Sequence, residues 1–202
     1  MDVLIKIIIY NSYINQKGGM YMKIIAFTGA GISKSAGIPT FEEVPGLKGK
    51  LSLDYKNANP EEYQKARDEM IKNMVDKEPT KAHKILADLD IPIITMNIDN
   101  LHRKAGSKTV LELHGNYIAD NIVLYGQEMH HAQDATTLIM KTAREAKKNN
   151  EEAILLVIGT SMQTAFANIL VWLAESRGMK VLYIDKDADE QVQEFFELHD
   201  MI

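Results

Sequence analysis

Cysteine is missing altogether from the 202-residue sequence. Its absence excludes disulfides and thiolate metal sites, and fits either a reducing interior or plain indifference to redox state. A basic excess is missing too: 23 Lys and Arg stand against 28 Asp and Glu, for a formal net charge of -5 and a pI near 5.7. Proteins that bind nucleic acid or anionic membranes electrostatically gather cations to displace counterions. Neither partner is expected; a small molecule or another protein is. The chain also has no internal repeat, no low-complexity tract and no Pro/Ser-rich linker. With 46% hydrophobic and 25% charged residues, 202 positions bury one sizeable core, so one main domain is expected.

A long apolar run is absent as well. The N-terminal stretch "VLIKIIIY" is too short to span a bilayer and lacks a small-residue cleavage pattern, so neither a membrane helix nor a signal peptide is expected, and the cytoplasm is the expected location. Two readings stand for residues 1–21. Lys17-Gly18-Gly19 is what a purine-rich ribosome-binding sequence would encode just upstream of Met22, which makes the extension a product of an early gene start, with translation beginning at Met22 or Met20. Alternatively, "VLIKIIIY" adds an edge strand.

From residue 22 onward, short apolar runs alternate with helix-period segments, the mark of a parallel sheet covered by helices. Strands are predicted at 23–29, 91–97, 109–113, 121–126, 154–159 and 180–185. Helices are predicted from Pro60, with Tyr63, Ala66, Met70 and Met74 on one face, and at about 80–89, 131–148, 165–177 and 188–198. The Gly- and Pro-containing segment 41–60 reads as a loop or flap. The expected class is α/β, a Rossmann-like open parallel sheet with helices on both faces over residues 22–202. It carries a small or reduced second subdomain, a flap or helical insertion at about 41–79.

Ligands of such sheets collect at the carboxyl ends of the strands. After the first strand, "TGAGISKSAGIPTF" offers Gly29 and Gly31 for a tight turn and close backbone approach. The N-terminus of a following helix is there for a phosphate, with Ser33 adding a hydroxyl. Taken alone, Gly-x-Gly is weak, and the G-x-G-x-x-G spacing is absent. The other strand ends, "TMNIDN", "LELHGN", "VIGTS" and "YID", deliver small or polar groups to the same edge.

In this order the stretches resemble the sirtuin family of NAD-dependent protein deacylases. "GAGISKSAGIPTF" is similar to its phosphate-and-nicotinamide loop, "TMNIDNLHRKAG" to "TQNIDGLHxxAG", "LELHGN" to the segment with its catalytic histidine, "VLYGQ" to its "FGE" strand and "GTSMQ" to its "GTSL" turn. The likeness runs from about Lys23 to Asp185. It implies NAD as cofactor, an acylated lysine peptide or protein as partner, and nicotinamide and O-acyl-ADP-ribose as products. His114 matches the base that activates a ribose hydroxyl, and imidazole titrates close enough to neutrality for that work. Asp99 matches the residue holding the nicotinamide carboxamide, and Asn97 the one orienting ribose and a nearby water. Asp99 is equally placed to cap the helix "NLHRKA". Phe41 matches the aromatic that shields the reactive ribose carbon. Thr160 and Ser161 are implied at the adenosine half, with Asp185 accepting from the ribose hydroxyls. Ala30, Met96, Ile98 and Gly159 complete the implied dinucleotide contacts. His83 is read as structural, and His130 and His131 as flanking a helix.

Departures accompany the matches. The family usually carries a structural zinc on four cysteines between the "HG" motif and the "FGE" strand; only Tyr117 to Asn121 fill that interval here, so no metal site and no zinc module are expected. One wall of the peptide cleft goes with it. Glu42 stands where an Arg follows the Phe, and Met96 replaces a Gln. An open cleft leaves two alternatives beside deacylation: NAD glycohydrolysis or ADP-ribosyl transfer, and a non-catalytic NAD or ADP-ribose-binding module. Under the early-start reading, mass spectrometry of the native protein should find no peptide from residues 1–19; such peptides would end that reading.

Overall fold

The computed structural model describes residues 22–40 and 43–202. The edge-strand reading of "VLIKIIIY", the role of Phe41 and the position of Glu42 therefore lie outside the described residues.

The two longest strands form the centre. Strand β1 (Met22–Thr28) and strand β4 (Glu152–Ile158) pair in parallel along their whole length, from Met22 opposite Glu152 to Thr28 opposite Ile158. Both are near-continuous apolar runs, as strands buried on two faces must be. Strand β2 (Ile93–Thr95) follows Pro92, and strand β3 (Val110–Glu112) lies beyond it; strand β5 (Lys180–Ile184) pairs with β4. The order is β3-β2-β1-β4-β5, all parallel. From β1 in the middle, the path moves out to β3, then returns to the other side of β1. The reversal between β1 and β4 is the switch point at which this class of sheet binds ligands.

Alternate residues of β1 feed two cores. Ile25 and Phe27 join Ile94, Leu113, Leu155 and Val157 beneath helix α6 (Ala132–Asn149) and helix α7 (Ala165–Ser176). Ile24 and Ala26 join Ile32, Ile93, Ile154 and Leu156 beneath helix α4 (Lys81–Asp88) and helix α8 (Ala188–Glu197), where Phe195 and Phe196 meet edge to face. Among the described residues, no helix is long and apolar enough to cross a membrane.

A third, smaller cluster sits beside the sheet. Helix α3 (Pro60–Lys72) begins with Pro60 and two glutamates in its first turn, and buries Tyr63, Ala66 and Met70; Met74, just past its end, is buried with them. The segment read as a loop contains two short helices, α1 (Leu47–Lys50) and α2 (Leu53–Ala58). Ser52 starts α2 by accepting from the Tyr55 amide at 3.1 Å. Such short helices present too few turns for a periodic signal.

The strand predicted at 121–126 is not a strand of the sheet. Only residues 115–120 separate it from the turn after β3, and a parallel neighbour needs a crossover of about a dozen residues. Its backbone turns instead to the insertion: the Tyr125 amide donates to Leu51 O and the Leu53 amide to Tyr125 O, a single bridge between Ser52 and Tyr125. Leu124, 4% exposed, packs with Ile38, Leu47, Leu51 and Tyr63. The apolar pattern was correct about the burial of Leu124, while Tyr125 is exposed and the hydrogen-bond partner is not a sheet strand. Leu124→Ala should therefore cost about 2–4 kcal/mol in a denaturant titration, whereas a residue of an exposed loop would cost a few tenths.

Candidate functional site

The floor of the site is the junction of the β1 and β4 loops. After Gly29 the chain enters a 3-10 turn, Ala30–Ala36, rather than an α-helix, and Gly37 ends it in the left-handed region at φ 77°. The Gly29 amide donates to Ile158 O (3.0 Å), the Gly31 amide to Gly159 O (2.7 Å) and the Gly159 amide to Ile184 O (2.7 Å), which sews β1, β4 and β5 together at their ends. A Cβ on Gly31 would lie 2.5 Å from Gly159 Cα, and one on Gly159, whose φ is 59°, would lie 2.4 Å from Ile32 N. No side chain fits between the loops, so close backbone packing is what requires these glycines.

Beside this floor, β2 releases its chain into the site. Thr28 donates to the Thr95 hydroxyl at 2.8 Å, and that hydroxyl accepts the Asn97 amide at 3.0 Å. Asn97 and Asp99 are buried, as is Ser33 from the 3-10 turn. Ser33 Oγ donates to Asp99 Oδ2 at 2.6 Å; Asn97 Nδ2 donates to both Ser33 Oγ and Asp99 Oδ2 at 3.1 Å. Asp99 Oδ1 accepts the Leu101 amide at 3.0 Å, at the start of helix α5 (Leu101–Lys104). The cap position itself falls to Asn100, so Asp99 is not the cap residue expected, but its carboxylate still binds the first amide of α5 with one oxygen and Ser33 and Asn97 with the other.

Two buried histidines support the trio from behind. Thr28 gives its only hydroxyl proton to Thr95, so at 2.9 Å from His102 Nε2 it must accept, which leaves His102 Nδ1 as a bare acceptor. By the same logic Thr80 donates to Ile32 O and accepts from His83 Nδ1 at 2.8 Å. The rings lie 4.5 Å apart, and neither His83 Nε2 nor His102 Nδ1 has a hydrogen-bond partner among the described residues. Burial pushes His83 down to about 4, against the pull of Asp99 and Asp189, and holds His102 well below its usual range. Asp189, on α8, fastens the assembly by accepting Ser35 Oγ at 2.6 Å and the Ala82 amide at 2.7 Å.

Two cavities meet here, sharing Ala30 and Asn97. The larger, a cleft of about 740 Å³, has Gly29, Gly31, Gly159, Thr160 and Ser161 along it, with Met96, His114, Tyr183 and Asp185 also on its wall. The smaller, about 220 Å³, sets Ser33, Asn97 and Asp99 against apolar groups that include Ile38, Ile98, Met70 and Met74. Apart from Phe41, every expected site residue lines one cavity or the other. His114 sits just past β3, before Gly115, whose φ is 74° and where a Cβ would strike Asn121 O at 2.1 Å. Burial lowers the His114 imidazole below its usual range, so it is neutral at pH 7 and free to accept a proton.

Tyr125, in the cleft, belongs to the "VLYGQ" stretch already singled out, whereas sequence reasoning missed Lys34, Glu43, Lys48 and Tyr183, also in the cleft, and His102 beneath it. Their relation to the site is set by distances between elements and leaves no local spacing to read. His131 precedes α6 and bonds Asp134 at 2.9 Å, in keeping with the helix-flanking reading.

The Sir2 family model matches residues 29–143. A protein of Thermodesulfovibrio yellowstonii named NAD-dependent protein deacetylase is 30% identical, over 80% of this chain and 78% of its own length. One of the same name from Caldivirga maquilingensis is 45% identical over a shorter stretch, 46% of this chain and 40% of that protein. A solved Sir2 structure with p53 peptide and NAD superposes with a TM-score of 0.77 at 24% identity, covering 95% of this chain and 98% of that one.

The histidine pair makes stability depend on pH. A buried imidazole whose folded pKa lies below the usual 6.5 is protonated first in the unfolded chain. Stability is then full above that value and falls as the pH drops from 6.5 toward 4, by at most about 1.4 kcal/mol per pH unit for each such group. Urea midpoints should decline over this window, and His83→Asn should remove about one proton of the slope. An unchanged slope would refute the assignment.

Proposed function

The chain belongs to the Sir2 family, and from that premise we propose that it removes acyl groups from protein lysines at the expense of NAD, releasing nicotinamide and O-acyl-ADP-ribose. The observation that carries the reading is the meeting of Asn97, Asp99 and Ser33 with His114 across two joined cavities. The relatives' names, NAD-dependent protein deacetylase and deacylase, support it.

The residues fit a dinucleotide. Gly29, Gly31 and Gly159 line the larger cleft without side chains, beside the Thr160 and Ser161 hydroxyls, a wall along which a pyrophosphate can lie close to backbone. Asp99 uses part of its acceptor capacity on Ser33, Asn97 and Leu101, and a carboxylate has about four lone-pair sites, so it retains room for a carboxamide N–H. Asp185, exposed beside the cleft, suits ribose hydroxyls. When bound, NAD supplies the nicotinamide–ribose bond that is broken and the ribose that receives the acyl group. Asp99 and Asn97 would hold the nicotinamide end in the smaller cavity, against Ile38, Ile98, Met70 and Met74. A ring nitrogen of His114, neutral at pH 7, takes a proton from a ribose hydroxyl and so frees it to attack the acyl carbon. Thr160, Ser161 and Asp185 anchor the other end. Reliance on an intracellular dinucleotide supports a cytoplasmic location.

A second reading, NAD glycohydrolysis or ADP-ribosyl transfer, is favoured by one observation. Ile118 and Tyr125, around the shortened interval, are 63% and 46% exposed, so that side of the cleft is open to water. Incubation with NAD, with and without an acetyl-lysine peptide, separates the two by free nicotinamide. Deacylation predicts peptide-dependent release, and His114→Ala should lower deacylation about 10²–10⁴-fold while nicotinamide release persists. Peptide-independent release would establish the second reading. No release despite NAD binding would overturn both and leave a binding module.

A further inference from the structure

The cleft floor presents backbone and hydroxyl groups, but a pyrophosphate also carries charge. Among the described residues of the cleft, Lys34 and Lys48 are the cations, and Glu43 and Asp185 the anions. Lys48 lies with its Nζ 5.8 Å from the centre of the Tyr125 ring. Lys34 projects from the 3-10 turn that begins at Ala30, beside the glycine floor, and its Nζ sits 2.8 Å from Glu43 Oε1. The two side chains are 55% and 46% exposed. Glu43 is held in place from its other oxygen, which accepts the Thr40 amide at 2.8 Å. These bonds keep its carboxyl ionised down to about 2.

An exposed pair of this kind contributes little to stability, because solvent screens it and two long side chains lose freedom. It does leave a cation at the edge of the glycine floor, in the same cleft. We propose that Lys34 is the side-chain cation for the pyrophosphate of the dinucleotide, and that Glu43 is a displaceable counter-ion that holds the ammonium until phosphate oxygens replace it. The proposal rests on the NAD reading above. The exchange makes and breaks no covalent bond: the lysine rotates about its own torsions, trading one carboxylate for a group with more acceptors and more negative charge. Glu43 then remains as a like charge near the phosphate, so it opposes binding twice, by competing for Lys34 and by repulsion.

The two residues therefore have opposite effects, which a merely structural fastening of Glu43 to the 3-10 turn would not produce. Calorimetric titration of NAD, and separately of ADP-ribose, into the full chain tests this. Lys34→Met should raise Kd about five- to ten-fold and flatten its dependence on salt, and Lys34→Arg should stay within about two-fold of the unsubstituted protein. Glu43→Gln should lower Kd about two- to five-fold. Unchanged affinity in Lys34→Met, or weakening in both Lys34→Met and Glu43→Gln, overturns the proposal while leaving the NAD reading intact. Absence of NAD binding by the unsubstituted protein overturns the NAD reading itself.

Discussion

The rest of this structure depends on the contact between Gly31 and Gly159. Two loops that leave neighbouring central strands approach until backbone touches backbone, and the Gly31 amide closes the gap on Gly159 O. Because β1 and β4 pair along their full length, the contact inherits the rigidity of the sheet centre. It places a floor without side chains at the point where the strand order reverses. The 3-10 turn that starts there brings Ser33 to the polar trio and Lys34 to the cleft.

Around that floor, polar groups are buried in linked sets of three. Thr28 joins Thr95 and His102; Thr80 joins Ile32 and His83; Ser33 joins Asn97 and Asp99. A buried polar group without a partner is costly, and the network meets nearly every demand among its own members. The unmet acceptors among the described residues of the network are His83 Nε2 and His102 Nδ1, which only a neutral ring tolerates. The same burial keeps charge away from the back of Asp99, so its carboxylate is fixed by hydrogen bonds rather than by a cation. His114 differs, since its side chain is lowered by burial alone and faces the cleft.

Much of this was legible from sequence, and the exceptions have physical causes. β1, β4 and β5 read clearly because strands covered on both faces, or nearly so, leave continuous apolar runs. The helix from Pro60 read clearly because it combines a start signal with a periodic face. "NIVLYG" misled because periodicity reports which residues are buried, not which backbone they bond. Its Leu124 is as buried as a core-strand residue while its amides serve turns and the insertion. Asn97, Asp99 and His114 stood out as candidates through the ordered set of motifs at strand ends, and they line the two joined cavities. Lys34 and Glu43 were invisible, since their pairing depends on how the chain bends after Gly37. His102 was hidden in a helix too short to show a face.

The divided loyalty of Asp99 bears on how any mutant of it is read. One oxygen secures the first turn of α5 and the other gathers Ser33 and Asn97. Removing the carboxylate would shift a stretch of main chain as well as delete a functional group, so kinetic losses in such a variant combine scaffold displacement with chemistry. His114, which spends none of its side chain on holding the scaffold, is the cleaner place to ask what a single group contributes.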